Sequence, residues 1–396
     1  MMQAIVANQR GAARLRGGHV WVYRSDLVPS SEAAPGALVE VRDDRGKRLG
    51  SALYSSASQI AIRLLSGDEI TEDSLPGLLR ARIASAVEFR RRTAPDADSY
   101  RVIFSEADLL PGLIVDKYND VVTIQMVTQA FDRDDLRQIV LESLVEHFPD
   151  ASLVERVDAH IRKLEELPAR DSQILRGERT STIFTLNGVR FHFDGLSGQK
   201  TGAFLDQREN YAAAARYAHG EVLDVFTYQG GFALHLARVC QRVAAVDSSR
   251  PALEVAEQNE QLNRDQHRSG EIEWIEANAF DLLKDYATAG RQYDTIVLDP
   301  PAFAKTKRAI TTALRGYKEL NLRALKMLRP GGILVSCSCS FHVSEAELLE
   351  MLGSAAADVG RVVRVLEKRG AAQDHPVLLN LPETAYLKCV ICEVLT

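Results

Sequence analysis

Residues 221–237 read EVLDVFTYQGGFALHLA, which has the pattern of a buried strand, a glycine-containing loop and a helix. Segments of the same two kinds alternate after this stretch, and such alternation is typical of a mostly parallel sheet covered by helices on both faces. The predicted strands are 221–226, 242–247, 271–277, 293–299 and 332–338, with helices at 231–239, 250–263, 280–288 and 312–328, then a helix at 344–359 and strands at 362–367 and 386–394.

The first half of the chain has a different pattern. Residues 1–66 contain short alternating segments and turn residues, which predict a β-rich module. A helix at 78–92 and a mixture of strands with a helix at 131–148 predict a small α+β unit, and Asn187-Gly188 between two apolar runs favours a hairpin with a type I′ turn. We expect three domains, at residues 1–68, 72–182 and 183–396.

The composition is that of a packed globular protein. The chain has 396 residues, of which 46% are hydrophobic and 26% are charged, and its net charge is -6. Residues 1–66 nevertheless carry nine Lys and Arg against five Asp and Glu. A basic module on an acidic remainder is consistent with contact to a polyanion at that end, although chance distribution explains the same asymmetry.

The cysteine content and the hydropathy indicate a reducing, aqueous environment. Five cysteines are an odd and low number for this length, so a disulfide framework is not expected. Residues 1–16 lack an apolar segment of signal-peptide length, and no run approaches the roughly 18 apolar residues that a membrane span needs. We therefore expect a soluble, cytoplasmic protein with no membrane partner.

Three chain segments are placed to form a ligand site, because ligands of open α/β sheets bind beyond the carboxyl ends of the strands. Gly230-Gly231 lets a ligand approach the backbone, and it is not the GxGxxG pattern of dinucleotide sites. Asp247 ends the second strand, where an acid can accept two ribose hydroxyls, or alternatively cap the next helix. Asp299-Pro300-Pro301 lacks two amide donors and leaves carbonyls for the amino group of a base, unless it only terminates the strand.

Taken together, these segments resemble the class I S-adenosylmethionine-dependent methyltransferases. Residues 198–208 (GQKTGAFLDQR), 226–232, 299–303 and 315–318 are similar to one family among them, the RlmI-type ribosomal RNA cytosine-5 methyltransferases. The resemblance extends over essentially the whole chain. It implies an α/β fold in which a Rossmann-like catalytic domain follows an N-terminal PUA domain and a small α+β domain. Gln229 departs from the pattern, since a small residue is commoner there.

The resemblance also implies S-adenosylmethionine as cofactor, large-subunit ribosomal RNA as partner, and no metal. A homodimer is left open. The implied cofactor-binding residues are Gln207, Arg208, Asp224, Phe226, Thr227, Tyr228, Gly230, Gly231, Phe232, Asp247, Ser248, Asn278, Ala279 and Asp299. The implied substrate-binding residues are Lys200, Pro300, Pro301, Phe303, Tyr317 and Lys318.

Residues 336–340 (SCSCS) supply two candidate nucleophiles at the end of the fifth strand. Carbon 5 of cytosine is a poor nucleophile until a thiolate adds to carbon 6, and a thiol ionises far more easily than a serine hydroxyl. Asp299 is the candidate acid beside the ring. The family has Ser-Cys-Ser just past the strand, which favours Cys339. Cys337 also has serine on both sides and remains the alternative.

Other interpretations of these residues are less favoured. Both cysteines could simply pack in the core, and Cys337, Cys339, Cys389 and Cys392 could bind zinc, but positions three apart in a strand face opposite sides. Related catalytic domains that lack the cysteine methylate a ring nitrogen, so guanine methylation is the second enzymatic hypothesis. A catalytically silent RNA-binding assembly factor is the third, and the presence of the catalytic acids and Cys339 disfavours it.

Overall fold

The computed structural model describes residues 2–29, 32–196, 203–266, 272–304 and 307–396. The chain forms two compact units. Unit 1 comprises Met1–Thr182, Phe193–Gln199 and Gln373–Thr384, and unit 2 comprises Ile183–His192, Lys200–Ala372 and Ala385–Thr396. Residues 68–72 lie inside unit 1, and the division into three domains stays a prediction.

The regular elements are numbered in chain order. The helices are α1 (Gln9–Arg16), α2 (Leu75–Thr93), α3 (Asp134–His147), α4 (Ala159–Leu164), α5 (Arg208–Tyr217), α6 (Gly231–Ala237), α7 (Arg250–Asn263), α8 (Ala279–Thr288), α9 (Ile310–Met327) and α10 (Glu345–Asp358). The strands are β1 (Gln3–Ala7), β2 (Trp21–Tyr23), β3 (Leu38–Asp43), β4 (Arg48–Tyr54), β5 (Ile60–Ser66), β6 (Ser99–Phe104), β7 (Leu113–Tyr118), β8 (Val121–Met126), β9 (Ser152–Glu155), β10 (Gln173–Arg176), β11 (Ser181–Leu186), β12 (Val189–Asp194), β13 (Glu221–Val225), β14 (Arg242–Asp247), β15 (Glu273–Glu276), β16 (Tyr293–Leu298), β17 (Leu328–Ser338), β18 (Val363–Arg369) and β19 (Lys388–Val394).

Unit 1 contains two five-stranded sheets. The first has the order β1-β3-β4-β5-β2, which confirms the β-rich prediction for residues 1–66. That prediction missed α1, an eight-residue helix that is capped by Asn8, whose side chain accepts a hydrogen bond from the Gly11 amide. A helix of two turns shows too few apolar repeats for its period to be recognised in the sequence.

The second sheet of unit 1 has the order β10-β9-β8-β7-β6 and packs with α2 and α3. Its hydrophobic core includes Leu38, Leu53 and Leu65 from the first sheet. A buried polar link joins the same two regions, because the Ser55 hydroxyl donates to the Glu165 carboxylate at 2.7 Å. The N-terminal 68 residues therefore share a core with the segment that follows them.

Unit 2 is built on a seven-stranded sheet with the order β15-β14-β13-β16-β17-β19-β18. The first five strands are parallel, and β19 runs antiparallel to both of its neighbours. This confirms the predicted α/β fold. The order of the strands reverses between β13 and β16, and a crevice opens at the carboxyl ends of strands at such a point.

Three details of unit 2 refine the predictions. The hairpin between β11 and β12 turns at Asn187 (φ 50°) and Gly188 (φ 83°), and two positive φ angles are those of the predicted type I′ turn. Helix α5 was not predicted, and β17 begins at residue 328 rather than at 332. Across the described parts of the chain, no helix combines the length and the apolar character needed to cross a lipid bilayer.

A buried ion pair in unit 1 gives a stability prediction. The Arg137 guanidinium donates to both Glu155 oxygens at 2.7 and 2.8 Å, and both residues are buried. Arg137→Met should lower the free energy of unfolding by about 3–5 kcal/mol, because the Glu155 carboxylate would stay buried without its main partner. Urea unfolding measures this change.

The matched control is Arg80→Met, which removes an exposed pair with Glu142 and should cost less than about 1 kcal/mol. Adding Glu155→Leu to the Arg137 variant should restore much of the lost stability. If Arg137→Met and Arg80→Met cost the same, the buried pair does not stabilise the unit.

Candidate active site

The loop after β13 is stabilised by hydrogen bonds to one buried carboxyl group, that of Asp224. Asp224 is fully buried, and its Oδ2 accepts hydrogen bonds from the Thr227 hydroxyl at 2.6 Å and from the Ala233 amide at 3.0 Å. Its Oδ1 has no hydrogen-bond partner among the described residues. Burial raises the pKa of Asp224 to about 7, although the Thr227 and Ala233 hydrogen bonds oppose that rise.

The same loop contains two residues other than glycine in the left-handed region. Phe226 has φ 70° and Tyr228 has φ 52°. The amides of Phe226 and Thr227 both donate to the Val246 carbonyl at 2.9 Å, which ties the loop to β14. Such strained backbone persists only where its surroundings enforce it, and it is commonly found at functional sites.

Gly230 and Gly231 are explained in part by packing within the protein. A Cβ at Gly230, which has φ 87°, would lie 2.9 Å from the Trp274 ring, and a Cβ at Gly231 would lie 2.5 Å from the Tyr211 hydroxyl oxygen. Phe232 packs edge-on against the Tyr211 ring. The loop therefore needs both glycines whether or not a ligand approaches it.

Asp247 joins the ends of β14 and of the first loop. Its Oδ2 accepts from the Tyr228 amide and its Oδ1 from the Ser249 amide, both at 2.9 Å. The helix cap of α7 is Ser249, whose side chain accepts from the Ala252 amide, so the alternative interpretation of Asp247 as the cap is wrong. Asp247 is only partly buried and Ser248 is exposed, and each carboxylate oxygen keeps a lone pair for a further donor.

The residues after β15 form a helix start. The Asn278 side chain is exposed and caps α8 by accepting from the amides of Phe280 at 2.9 Å and Asp281 at 3.3 Å. Ala279 is buried in the first turn. Asn278 therefore has a structural function here, whatever ligand lies beyond it.

Asp299, at the end of β16, is oriented by a chain of polar side chains. The buried Gln207 amide donates to Asp299 Oδ2 at 2.9 Å, and Gln207 Oε1 accepts from the Asn210 amide at 2.6 Å. Asn210 in turn accepts from the Arg369 guanidinium at 2.9 Å. Asn210 and Arg369 were not predicted as site residues, because the contact between them joins segments far apart in the chain.

Cys339 lies just past β17, between two anchored serines. The hydroxyl of the buried Tyr317 lies 3.0 Å from the Ser338 hydroxyl and 2.9 Å from that of Ser340. Both serines are completely buried. The Cys339 sulfur lies 3.8 Å from the Pro300 carbonyl oxygen, so this thiol is adjacent to the Asp-Pro-Pro segment.

The five cysteines differ in accessibility. Cys339 is partly exposed, whereas the other four are buried. Cys337 pairs across the strands with Cys389, and a hydrogen bond that the Cys337 thiol donates to Cys389, together with burial, raises the pKa of Cys337 far above its usual range. Burial raises the pKa of Cys392 to about 12. Among the residues with described positions, no three His, Cys, Asp or Glu side chains are grouped to hold a metal ion.

The remaining candidates lie in different surroundings. Lys200 is outside the described residues. Lys318 forms an ion pair of 2.7 Å with Asp358 in a groove between α8, α9 and α10. No described contact of the Lys318 side chain is with Cys339. Arg208 is buried at the start of α5 and lies 3.6 Å from the Glu209 carboxylate.

The last two candidates lie at the end of the Asp-Pro-Pro segment and two residues after it. Pro301 is exposed, and the partly buried Phe303 ring packs against Tyr317 with 4.8 Å between ring centres. Lys388, at the start of β19, was not a candidate. Its ammonium donates to the Ser340 carbonyl at 2.7 Å, and it is only 7% exposed.

The buried Asp224 carboxyl gives a pH prediction. Its pKa of about 7 in the folded state exceeds the ordinary value of about 4, so folding favours its protonated form. The free energy of unfolding should fall as pH rises from about 4 to about 7, by about 1.4 kcal/mol per pH unit. Asp224→Asn removes this dependence, so the stability of the variant relative to wild type should improve between pH 5 and pH 8.

Asp294→Asn is the control for that measurement. Burial raises the pKa of Asp294, but the Glu221 amide and Arg329 outweigh it and hold the pKa below its ordinary value, so this carboxyl stays ionised from pH 5 to 8. Urea unfolding of this variant relative to wild type should therefore be independent of pH. The same flat result for Asp224→Asn would show that Asp224 does not titrate near neutrality.

Two known protein families match parts of this chain. Residues 5–67 match a PUA-like domain, and residues 121–378 match the S-adenosylmethionine-dependent methyltransferases. A crystal structure described as a methyltransferase in complex with SAH has a TM-score of 0.84 at 18% identity, and it covers 99% of this chain and 100% of that one. An S-adenosylmethionine-dependent methyltransferase structure from Streptococcus mutans has a TM-score of 0.83 at 17% identity, with coverage of 99% and 100%. These two structures are similar in fold.

Sequence relatives are closer. Proteins named ribosomal RNA large subunit methyltransferase I from Yersinia pestis and Yersinia pseudotuberculosis are each 34% identical over 403 aligned residues, covering 100% of this chain and 100% of the relative. The crevice at the ends of β13, β14 and β16 lies where this fold carries its ligand. The chain therefore belongs to the S-adenosylmethionine-dependent methyltransferases, in the same family as the large subunit methyltransferase I proteins, and its N-terminal domain is PUA-like.

Proposed function

We propose that this enzyme methylates carbon 5 of a cytosine in large-subunit ribosomal RNA through a covalent adduct with Cys339. The observation that carries the proposal is the position of the Cys339 thiol, partly exposed and 3.8 Å from the Pro300 carbonyl of the Asp-Pro-Pro segment. A nucleophile and the groups that recognise a base must lie together for such chemistry. The names of the sequence relatives support ribosomal RNA as the substrate.

The crevice residues fit S-adenosylmethionine. Asp247 has lone pairs available for ribose hydroxyls, and the buried Asp224 holds the loop that would lie beneath the methionine portion. Backbone at Phe226 and Tyr228 is held in strained conformations that shape this loop. When bound, S-adenosylmethionine supplies an electrophilic methyl group, which carbon 5 takes once the adduct has made it nucleophilic.

Cys339 and Asp299 have different roles in the reaction of the base: Cys339 is the nucleophile, and Asp299 stabilises the adduct. The sulfur lone pair forms a bond to carbon 6, and the π electrons of the 5,6 double bond become available at carbon 5. Asp299 lies at the end of β16, and Gln207 holds its carboxyl group in one orientation at 2.9 Å. A carboxyl group there hydrogen-bonds to ring nitrogen 3 and the amino group, which stabilises the adduct. After methyl transfer the carbon-5 proton passes to water, its bonding electrons re-form the 5,6 double bond, and the S–C6 bond breaks with its electron pair remaining on the Cys339 thiolate.

The base and its flanking phosphates need separate contacts. We place the base against the exposed Pro301 and the partly buried Phe303, in the segment whose Pro300 carbonyl lies 3.8 Å from the Cys339 sulfur. Tyr317 is buried and supports the Cys339 segment from beneath rather than touching RNA. Lys318, although paired with Asp358, lies in a groove with Arg315 and other cations that suits a phosphate backbone. The PUA-like residues 1–66, with their excess of positive charge, supply further phosphate contacts.

Asp247 tests the cofactor part of the proposal. Asp247→Ala should weaken S-adenosylmethionine binding about 10- to 150-fold, the range for losing a hydrogen bond of about 1.5–3 kcal/mol to a charged group. Isothermal titration calorimetry measures the dissociation constant. Asp285→Ala, at an exposed position of α8, is the control and should leave it unchanged. Equal affinity of the Asp247 variant and wild type would remove Asp247 from the site.

Cys339 tests the chemistry. Cys339→Ala should abolish turnover and leave cofactor binding intact, because the thiol acts on the base. With RNA that carries 5-fluorocytosine at the target, wild-type enzyme should stop at a covalent protein–RNA complex, since fluorine cannot leave as a cation. Peptide mapping of the complex identifies the attached residue.

Cys337→Ala is the matched control for the trapping experiment. This thiol is completely buried against Cys389, so its loss should preserve trapping and cost about 1 kcal/mol of stability. Attachment of the RNA at Cys337 would reverse the assignment of the nucleophile. Normal methylation of the substituted RNA without any covalent complex would favour ring-nitrogen methylation instead.

A further inference from the structure

Lys388 is a buried cation that the chemistry described above does not use. It is 7% exposed, and its Nζ donates to the Ser340 carbonyl at 2.7 Å and to the Tyr386 carbonyl at 2.8 Å. Lysine is rarely buried without a carboxylate partner, since burial penalises its charge. A neutral apolar side chain could pack between β19 and the end of β17 without the free-energy cost of burying a charge. The buried ammonium at this position therefore indicates a role beyond packing.

The end of β17 that Lys388 contacts is the segment that carries the nucleophile. Ser340 directly follows Cys339, so the Lys388 ammonium is hydrogen-bonded to the backbone of the residue next to the nucleophile. Two carbonyl groups, one from each chain segment, fix the position of Nζ at the residue that follows Cys339. A fixed cation beside a cysteine favours its thiolate.

We propose that the Lys388 ammonium stabilises the thiolate of Cys339, so that this thiol ionises at a lower pH than it would without the ammonium. This inference rests on the proposed role of Cys339. The thiol proton passes to water, the electron pair of the S–H bond stays on sulfur, and the ammonium keeps its proton. Lys388 touches neither RNA nor cofactor in this arrangement, so it is a positioning residue.

The surrounding ionisable groups define the pH range. Burial lowers the pKa of Lys388 to about 8, while Cys339 and the Glu347 carboxylate at the start of α10 oppose that shift. On the other side, burial raises the pKa of Tyr317 despite its hydrogen bonds to the two serines, so its hydroxyl stays neutral. The ammonium is therefore charged below about pH 8, and its effect on the thiolate should decline above that pH.

The test is the rate at which iodoacetamide alkylates Cys339 as a function of pH, measured by peptide mass spectrometry on the full-length protein without RNA or cofactor. The other four cysteines are buried and serve as internal references. The wild-type midpoint should lie below about 8.5, the value of an unperturbed thiol. A wild-type midpoint at or above that value overturns the inference without recourse to any variant.

Variants then assign the effect to the charge. Lys388→Met should raise the midpoint by about one pH unit or more, which means roughly tenfold slower alkylation near pH 7. Lys388→Arg keeps the charge and should retain most of the wild-type profile. Lys368→Met, on exposed β18 and paired with Glu345, is the control and should change nothing. A Met variant with the wild-type midpoint would overturn the inference.

The alkylation and trapping experiments separate the two proposals. If Lys388 shifts the thiol midpoint but RNA with 5-fluorocytosine is not trapped, the proposed reaction fails and the electrostatic coupling stands. If trapping occurs at Cys339 while the Lys388 variants leave the midpoint unchanged, the reaction stands and Lys388 only joins the strands.

Discussion

The candidate active site depends on two hydrogen bonds of the Tyr317 hydroxyl group, one with the Ser338 hydroxyl and one with the Ser340 hydroxyl. All three side chains are buried, and buried hydroxyl groups left unpaired would cost more than the bonds gain. The two bonds therefore fix the backbone on both sides of Cys339. A thiol that must reach one carbon atom of a base needs this kind of support, because small displacements of a nucleophile cost large factors in rate.

Carboxylates fulfil the same supporting function in the rest of the crevice. Asp224 closes the first loop upon itself, and Asp247 joins that loop to the next strand through the Tyr228 amide. Asp299 is oriented by Gln207, so Asp247 and Asp299 are each held by a group from another chain segment, whereas Asp224 is held by its own loop. The parallel sheet brings the three strand ends together, and these contacts turn the shared edge into a site of defined shape.

The sequence predicted the fold because its periodic segments are long and alternate regularly. Strand β14 and helix α7 have the predicted bounds, whereas the reversal of strand order between β13 and β16 was not predicted and is shown only by the structure. Helix α1 was missed because two turns carry too little periodicity. The contacts of Asn210 with Gly370 and of Lys388 with Ser340 were also missed, since these partners lie more than 40 residues away and only the folded chain shows them.

The two cysteines show where sequence patterns stop being informative. Cys337 and Cys339 each lie between two serines, and residues two apart in a strand share a face, so neither spacing nor neighbours distinguishes them. The structure separates them because β17 ends at Ser338, which leaves Cys337 buried in the sheet and Cys339 beyond it. The end of a strand depends on its pairing with β19, which is a long-range property.

The most direct test of the account is the identity of the methylated nucleoside. Large-subunit ribosomal RNA that lacks the modification would be incubated with the enzyme and S-adenosylmethionine carrying an isotopically labelled methyl group. Its nucleosides would then be separated and analysed by mass spectrometry. The account predicts that the label appears in 5-methylcytidine. Label in a ring-nitrogen-methylated guanosine, with none in 5-methylcytidine, would contradict it.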